Sequence, residues 1–78
     1  MTLAFTLIQT EVGREDEIRK VLLNIEGVVE AHIIYGVYDI ICKLEAPTME
    51  HLKDVLILEI QGLANIRSIL SLIAIKRD

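Results

Sequence analysis

Hydrophobic and polar positions follow two different periods along the chain, and each period predicts a type of element. Residues 2–9 are largely apolar, with β-branched and aromatic members, a pattern typical of a strand. Gly13 interrupts the pattern, and acidic residues 15–17 follow, which suit the first turn of a helix. Apolar residues then recur at the spacing of an amphipathic helix, at Ile18, Val21, Leu22 and Ile25. Gly27 stands where a helix commonly ends in a left-handed residue.

The second half of the chain repeats this succession after a hairpin. Residues 28–35 and 38–45 read as two strands, and the short link Gly36-Val37 predicts that they are antiparallel. Thr48 is a candidate N-cap for a second helix. The inner stripe of that helix is predicted at Leu52, Leu56, Ile60 and Leu63. Asn65, which tolerates left-handed geometry, is expected to end this segment before a last strand over residues 66–76.

The predicted element order is therefore βαββαβ, and the two halves resemble each other. Gly27 aligns with Asn65 at a shift of 38 positions, and the helix stripes align at the same shift. Two βαβ halves of this kind predict an α+β, ferredoxin-like fold with a four-stranded antiparallel sheet. Residues 1–78 are expected to form one domain.

Both faces of the predicted sheet are apolar. Leu70 and Leu72 alternate with Ile69 and Ile73 along the last strand, and the first strand shows a similar alternation. Because both helices of such a fold cover one face, the other face would expose apolar side chains to water. Sheets that are buried on both sides have this pattern. We therefore expect the helix-free face to pack against a second copy of the chain.

The composition supports this expectation and narrows the function. The chain has 78 residues, of which 53% are hydrophobic, and its mean hydropathy is +0.48. So small a domain cannot readily bury this many aliphatic side chains alone. A net charge of −4 with dispersed Lys and Arg argues against direct nucleic-acid binding. No signal peptide or membrane-length apolar run is evident, which predicts a cytoplasmic protein.

Few residues offer reactive chemistry. The single cysteine, Cys42, has no cysteine partner, and its position in a strand suits a small buried hydrophobe. His32 and His51 have no acidic residue at a familiar metal spacing. We expect no catalytic group, no metal site and no cofactor.

One concentrated polar feature is the segment Gly36-Val37-Tyr38-Asp39. It suits a hairpin turn in which Asp39 bonds nearby backbone amides. It also suits a ligand site, in which Gly36 permits close backbone approach, Tyr38 forms an apolar wall and Asp39 holds a cationic amino group.

A family resemblance bears on this choice. Val28, Gly36, Tyr38 and Asp39, preceded by Ile25-x-Gly27, resemble the effector-binding domain of the Lrp/AsnC (feast/famine) regulators over essentially the whole chain. The last strand resembles the family's closing strand, V-x-x-T-x-T-x-[IVL]. Ser71 matches its second hydroxyl position, whereas Ile69 departs from the first.

The resemblance implies a regulatory module that binds an amino-acid effector through Gly36, Tyr38, Asp39, Ile69 and Ser71. Family members form dimers through their sheets, and the dimers assemble into rings, commonly octamers, with the effector between dimers. Full-length members carry a helix-turn-helix domain ahead of this one. Since the first predicted strand begins at Thr2, the expectation here is a stand-alone effector domain that can co-assemble with full-length regulators.

Two other readings share the element order. An ACT-type amino-acid domain is one, but the G-x-Y-D hairpin favours the Lrp/AsnC resemblance. A small dimeric α/β-barrel enzyme, such as a monooxygenase or isomerase, is the other. Such enzymes place polar residues between helices and sheet, whereas the helix stripes here are aliphatic.

Overall fold

The computed structural model describes residues 1–75 and has the predicted element order. The strands are β1 (Thr2–Thr10), β2 (Val28–Ile33), β3 (Ile40–Ala46) and β4 (Ile66–Ile73). The helices are α1 (Glu15–Leu23) and α2 (Met49–Asp54), and α2 continues into a π-helical stretch (Val55–Ile60). The four strands form one antiparallel sheet in the order β2-β3-β1-β4. The α+β, ferredoxin-like βαββαβ fold is thereby confirmed; Lys76, the predicted end of β4, lies outside the described residues.

The connection between β2 and β3 is longer than predicted. Both strands stop short of Gly36-Val37, and residues 34–39, here called the β2–β3 loop, join them. The Asp39 backbone N–H donates to the Ile8 carbonyl oxygen of β1 at 2.9 Å, while the Ile34 N–H donates to the Asp39 carbonyl oxygen at 2.9 Å. The loop is therefore fixed at its base to the end of β1.

The first helix has a narrower buried stripe than predicted. Ile18 and Leu22 are buried, but Val21 is 42% exposed on the flank of α1. Because α1 ends at Leu23, Ile25 lies beyond the helix and is only half-buried. The acidic residues 15–17 do form the first turn, where they favour the positive end of the helix dipole.

The second helix begins as predicted and then widens. The Thr48 side chain accepts a hydrogen bond from the His51 backbone N–H at 3.1 Å, which confirms Thr48 as the N-cap. In the π-helical stretch the Gln61 N–H donates to the carbonyl of Leu56, five residues earlier. The buried residues are Leu52, Val55, Leu56 and Ile60, so the predicted stripe gains Val55, and Leu63 is half-buried.

Two left-handed residues mark the repeated halves. Gly27 has φ of +101° and Asn65 has φ of +66°, as their alignment predicted. Each precedes a strand, and the carbonyl of each accepts a backbone hydrogen bond. The Gly27 carbonyl accepts from the Glu45 N–H and the Asn65 carbonyl accepts from the Glu11 N–H, both at 2.8 Å.

Both faces of the sheet carry apolar side chains, as the alternation predicted. Even-numbered residues of β1 and β3 are buried under the helices: Ala4, Thr6, Ile8, Thr10, Ile40, Cys42, Leu44 and Ala46. The opposite face carries a cluster that we call the apolar sheet face: Leu3, Phe5, Leu7, Ile41, Leu70 and Leu72. Leu72 in this cluster is 50% exposed.

The apolar sheet face stops before β2. Glu30 and His32 occupy that side of the sheet, with a distance of 3.3 Å between a Glu30 oxygen and the His32 Nε2. Lys43 on β3 lies 3.8 Å from the other Glu30 oxygen. The apolar surface is therefore centred on β1 and β4 and bounded by charge on one side. Within residues 1–75, no helix is long and apolar enough to cross a membrane.

Adjacent leucines on α1 provide a test of this packing. Leu22 is fully buried, whereas Leu23 is 43% exposed. We predict that Leu22→Ala lowers the free energy of unfolding by about 2–5 kcal/mol, because it leaves a cavity in the core. Leu23→Ala is the matched control and is expected to cost under about 1 kcal/mol. Urea unfolding at one fixed protein concentration measures both, and similar losses for the two variants would contradict this account of the core.

Candidate functional site

The β2–β3 loop is organised by Asp39. In addition to its two backbone hydrogen bonds, its Oδ2 accepts a hydrogen bond from the Thr10 backbone N–H at 2.9 Å. Thr10 is buried at the end of β1, and Asp39 is half-buried. The hydrogen bonds within residues 1–75 use Oδ2 and leave Oδ1 available to solvent or to a ligand. The Asp39 carboxylate therefore bonds a distant strand rather than the backbone of its own turn, and its Oδ1 is available for a further hydrogen bond.

The tip of the loop projects into solvent. The Tyr35 side chain is fully exposed and Val37 is 76% exposed, while Tyr38 is half-buried. Gly36 has φ of +143°, a backbone conformation that residues other than glycine rarely adopt. A Cβ added at this position would meet no atom within 4 Å. Backbone geometry thus requires glycine at this position, and open space adjoins it.

The Val37 carbonyl oxygen accepts a hydrogen bond from a side chain of β1. The Gln9 Nε2 donates to it at 2.7 Å, which links two residues that are 28 positions apart. Sequence reasoning did not single out Gln9 or Thr10. A polar residue at an odd-numbered position of β1, after Leu3, Phe5 and Leu7, was the available signal for Gln9. Thr10 acts through its backbone N–H, for which residue type gives no signal.

The two predicted β4 residues lie on the helix side of the sheet. Ile69 pairs with Ile8 and is half-buried against the core. Ser71 is exposed and pairs with Thr6, and the two hydroxyl oxygens are 3.4 Å apart. The helices therefore leave the outer part of β4 partly open, and Ser71 continues a polar row that begins at the buried Thr6.

One protomer does not bring all the predicted site residues into one pocket. Asp39 stands level with Gln9 on one side of β1, while Ser71 stands level with Thr6 on the other side. Standard strand dimensions then separate their Cα atoms by roughly 14 Å. A small ligand held by both residues would require them from different subunits.

Two surface grooves lie elsewhere. One has a volume of about 550 Å³ and is lined by Met1, Thr2, Leu3, Met49, Ala74 and Ile75, at the opposite end of β1 from the loop. The other, of about 350 Å³, lies between the connection that follows α1 and the second helix, and includes Glu26, His51, Asp54 and Glu59. In residues 1–75, no group of three or more His, Cys, Asp or Glu side chains is arranged to hold a metal ion.

Comparison with known proteins decides the family. The family model described as the Lrp/AsnC ligand binding domain matches residues 3–78. The chain belongs to the Lrp/AsnC ligand-binding domain family. No curated protein sequence matches it.

Solved structures agree with the family. The crystal structure of FFRP-DM1 is 36% identical, covers 96% of this chain and 100% of its own, and superposes with a TM-score of 0.91. Hypothetical protein PHS023 from Pyrococcus horikoshii is 35% identical, with 99% and 93% coverage and a TM-score of 0.92. These two Lrp/AsnC-like structures match this domain over almost their entire length.

A longer relative shares the fold alone. The transcriptional regulator NMB0573 from Neisseria meningitidis, solved as a complex with L-Met, is 12% identical with a TM-score of 0.82. The match covers 96% of this chain and 50% of that protein. The fold of this domain thus corresponds to about half the length of that regulator.

Cys42 is not placed to react. It is buried on β3 beside Thr6, and burial raises the pKa of the Cys42 thiol from 9.0 to about 11, although a hydrogen bond with Thr6 opposes part of this rise. A protonated thiol is a poor nucleophile and a poor metal ligand. This Lrp/AsnC domain therefore uses Cys42 as a core residue.

The raised pKa predicts a loss of stability at alkaline pH. The thiol of the unfolded chain loses its proton near pH 9, whereas the folded chain retains it to about pH 11. Stability from this group is therefore complete below pH 9 and is lost as the pH rises to 11. Between pH 8 and pH 10.5 the free energy of unfolding should fall by about 2 kcal/mol more in the wild type than in Cys42→Ala. Urea unfolding of both proteins measures this difference, and equal falls would show that the thiol pKa is unshifted.

Proposed function

We propose that this domain binds a small amino acid as a regulatory effector, at the β2–β3 loop of one subunit where it meets another subunit. The observation that carries the proposal is the Asp39 carboxylate. One oxygen is fixed by the Thr10 N–H at 2.9 Å, so the orientation of the carboxylate is fixed, and Gly36 in the same loop adjoins open space. A fixed carboxylate of this kind suits the α-ammonium group that every amino acid presents.

The second subunit is proposed to pack on the apolar sheet face. Six large apolar side chains lie there, and Leu70 and Leu72 are roughly half exposed. Water contact with such a continuous patch is unfavourable, and a two-fold contact would bury the same patch on both subunits. The charged Glu30, His32 and Lys43 would then lie at the border of the contact.

Assembly beyond the dimer is proposed from the separation of the site residues. Asp39 and Ser71 are too far apart in one protomer to share a small ligand. A neighbouring dimer would bring the Ser71 hydroxyl of one subunit near the loop of another, with Ile69 as an apolar wall. A ring of four dimers that binds its effector between dimers satisfies this requirement, and co-assembly with longer Lrp/AsnC regulators would use the same contacts.

The packing supports a binding role rather than an enzymatic one. The layer between helices and sheet is built from aliphatic side chains, and its polar members Thr6 and Thr10 are fully or nearly fully buried. In the described residues, this layer holds no paired acid and base. The chain itself, being acidic, is also proposed not to bind duplex DNA directly.

Dimer formation predicts the effect of a charge on the apolar sheet face. Leu70→Lys should convert the dimer to a monomer, because a lysine ammonium group would be buried in the contact. Val12→Lys, at a 90% exposed position in the β1–α1 turn, is the matched control and should leave the oligomer intact. Light scattering with sedimentation velocity at micromolar concentration measures both. A wild-type monomer, or a Leu70→Lys protein with the native mass, would refute the sheet-face dimer.

Effector binding predicts a difference between two Asp39 variants. Asp39→Asn keeps an oxygen acceptor for the Thr10 N–H but removes the charge, so it should weaken amino-acid binding about ten- to a hundredfold and leave the fold intact. Asp39→Ala should weaken binding similarly and also destabilise the protein by about 1–2 kcal/mol, since the buried Thr10 N–H loses its partner.

Isothermal titration against the common amino acids, with L-Met among the first, measures the affinities, and thermal unfolding measures the stabilities. Unchanged affinity in Asp39→Asn would remove Asp39 from the site. If no amino acid binds the wild type at millimolar concentration, the effector proposal fails and an assembly role remains.

A further inference from the structure

Gln9 lies between the apolar sheet face and the β2–β3 loop, which have separate roles in the proposed function. It follows Leu3, Phe5 and Leu7 on the helix-free side of β1 and pairs with Ser68 of β4 on that same side. From there its side-chain amide reaches the Val37 carbonyl in the β2–β3 loop at 2.7 Å. The residue therefore borders the apolar sheet face and contacts the loop at once.

The tip of the loop depends on this one contact. In the described part of the chain, hydrogen bonds fix the base of the loop at Ile34 and Asp39. Within residues 35–38, one atom takes part in a hydrogen bond, the carbonyl oxygen of Val37. The Tyr35 and Val37 side chains project into solvent, and Gly36 gives the backbone unusual freedom. Loss of the Gln9 donor would leave the tip without a polar anchor.

We propose that Gln9 is a positioning residue that couples the apolar sheet face to the effector loop. A hydrogen bond that competes with water contributes little, and it strengthens when water is excluded. A second copy packed on the helix-free side would shield the Gln9 amide and reduce its freedom. Dimer formation would thereby tighten the loop tip.

Thermodynamic linkage gives the coupling a second direction. If dimer formation favours the loop conformation that binds ligand, then ligand must favour dimer formation by the same factor. This part of the inference rests on the proposed effector binding, whereas the tightening of the loop by dimerisation rests on the proposed sheet-face dimer alone. The two can therefore be tested apart.

The first experiment needs no ligand. Chymotrypsin cleavage after Tyr35, followed by mass spectrometry of the 1–35 and 36–78 fragments, reports how often the loop tip opens. At a concentration where the protein is dimeric, Gln9→Met should be cleaved about two- to tenfold faster than the wild type, because it lacks the donor. Ser68→Ala is the control on the same side of the sheet and should match the wild type. Gln9→Lys restores a donor and should recover most of the protection.

The same measurement in the monomer tests the coupling. The monomer is obtained either by adding Leu70→Lys to both proteins or by diluting both until they dissociate. In the monomer, Gln9→Met should be cleaved less than twofold faster than the protein with Gln9. An equal effect in monomer and dimer would make Gln9 a purely local clamp and overturn the coupling. Cleavage of Gln9→Met at the wild-type rate in the dimer would overturn the positioning role as well.

A separate experiment measures the effect of a bound amino acid on dimer dissociation. A saturating amino acid that binds the wild type should lower the dimer dissociation constant about two- to tenfold, and this shift should disappear in Gln9→Met. A shift of equal size in both proteins would contradict the inference. If no amino acid binds, the proposed function fails, while the cleavage data still decide the positioning role.

Discussion

The pairing of β1 with two neighbours at once is the constraint on which the rest of the structure depends. Ile8 pairs with Ile40 of β3 and with Ile69 of β4, so the register of both pairs is fixed by the same strand. A slip of one residue would move every buried side chain of β1 to the helix-free side. That slip would expose Ala4 and Ile8 and bury Gln9, which would remove the core.

The same strand also supplies the contacts that shape the candidate site. The Ile8 carbonyl, the Gln9 amide and the Thr10 N–H each bond the β2–β3 loop, and all three come from the last residues of β1. The loop conformation is thus a consequence of sheet register as well as of its own Gly36 and Asp39. A loop held this way can be precise while its Tyr35 and Val37 side chains remain in water.

Sequence periodicity predicted the features that depend on local rules. The element order, the two sheet faces, the Thr48 cap and the left-handed Gly27 and Asn65 all follow from alternation, helical spacing or backbone preference, and the structure has each of them. The predicted length of the connection between β2 and β3 and the predicted burial of Val21 were wrong. Ile34, Tyr35 and Tyr38 continue a strand pattern on either side of the predicted link, but Asp39 bonds the end of β1, and the pairing of β2 and β3 ends at Ile33 and Ile40.

The candidate site was predictable only in part, for a physical reason. Gly36, Tyr38 and Asp39 could be proposed as site residues because residue type and spacing carry a signal within a few positions. The contacts of this loop with Gln9 and Thr10 span 28 and 29 positions and use the Val37 carbonyl and the Thr10 N–H, backbone groups that every residue except proline has. The relation of Asp39 to Ser71 is less accessible still, since the two lie on opposite sides of β1.

The surplus of apolar residues also has a distribution that composition could not give. Beyond the apolar sheet face, exposed apolar side chains include the loop tip at Tyr35 and Val37, and Ile57 with Leu58 on the outside of the π-helical stretch. The proposed two-fold contact between sheets would bury the apolar sheet face and leave these other side chains exposed on every subunit. Apolar side chains that a dimer leaves in water remain available for a further contact between dimers. The proposed assembly beyond the dimer therefore rests on the same argument as the proposed dimer, applied to the surface that the dimer would not cover.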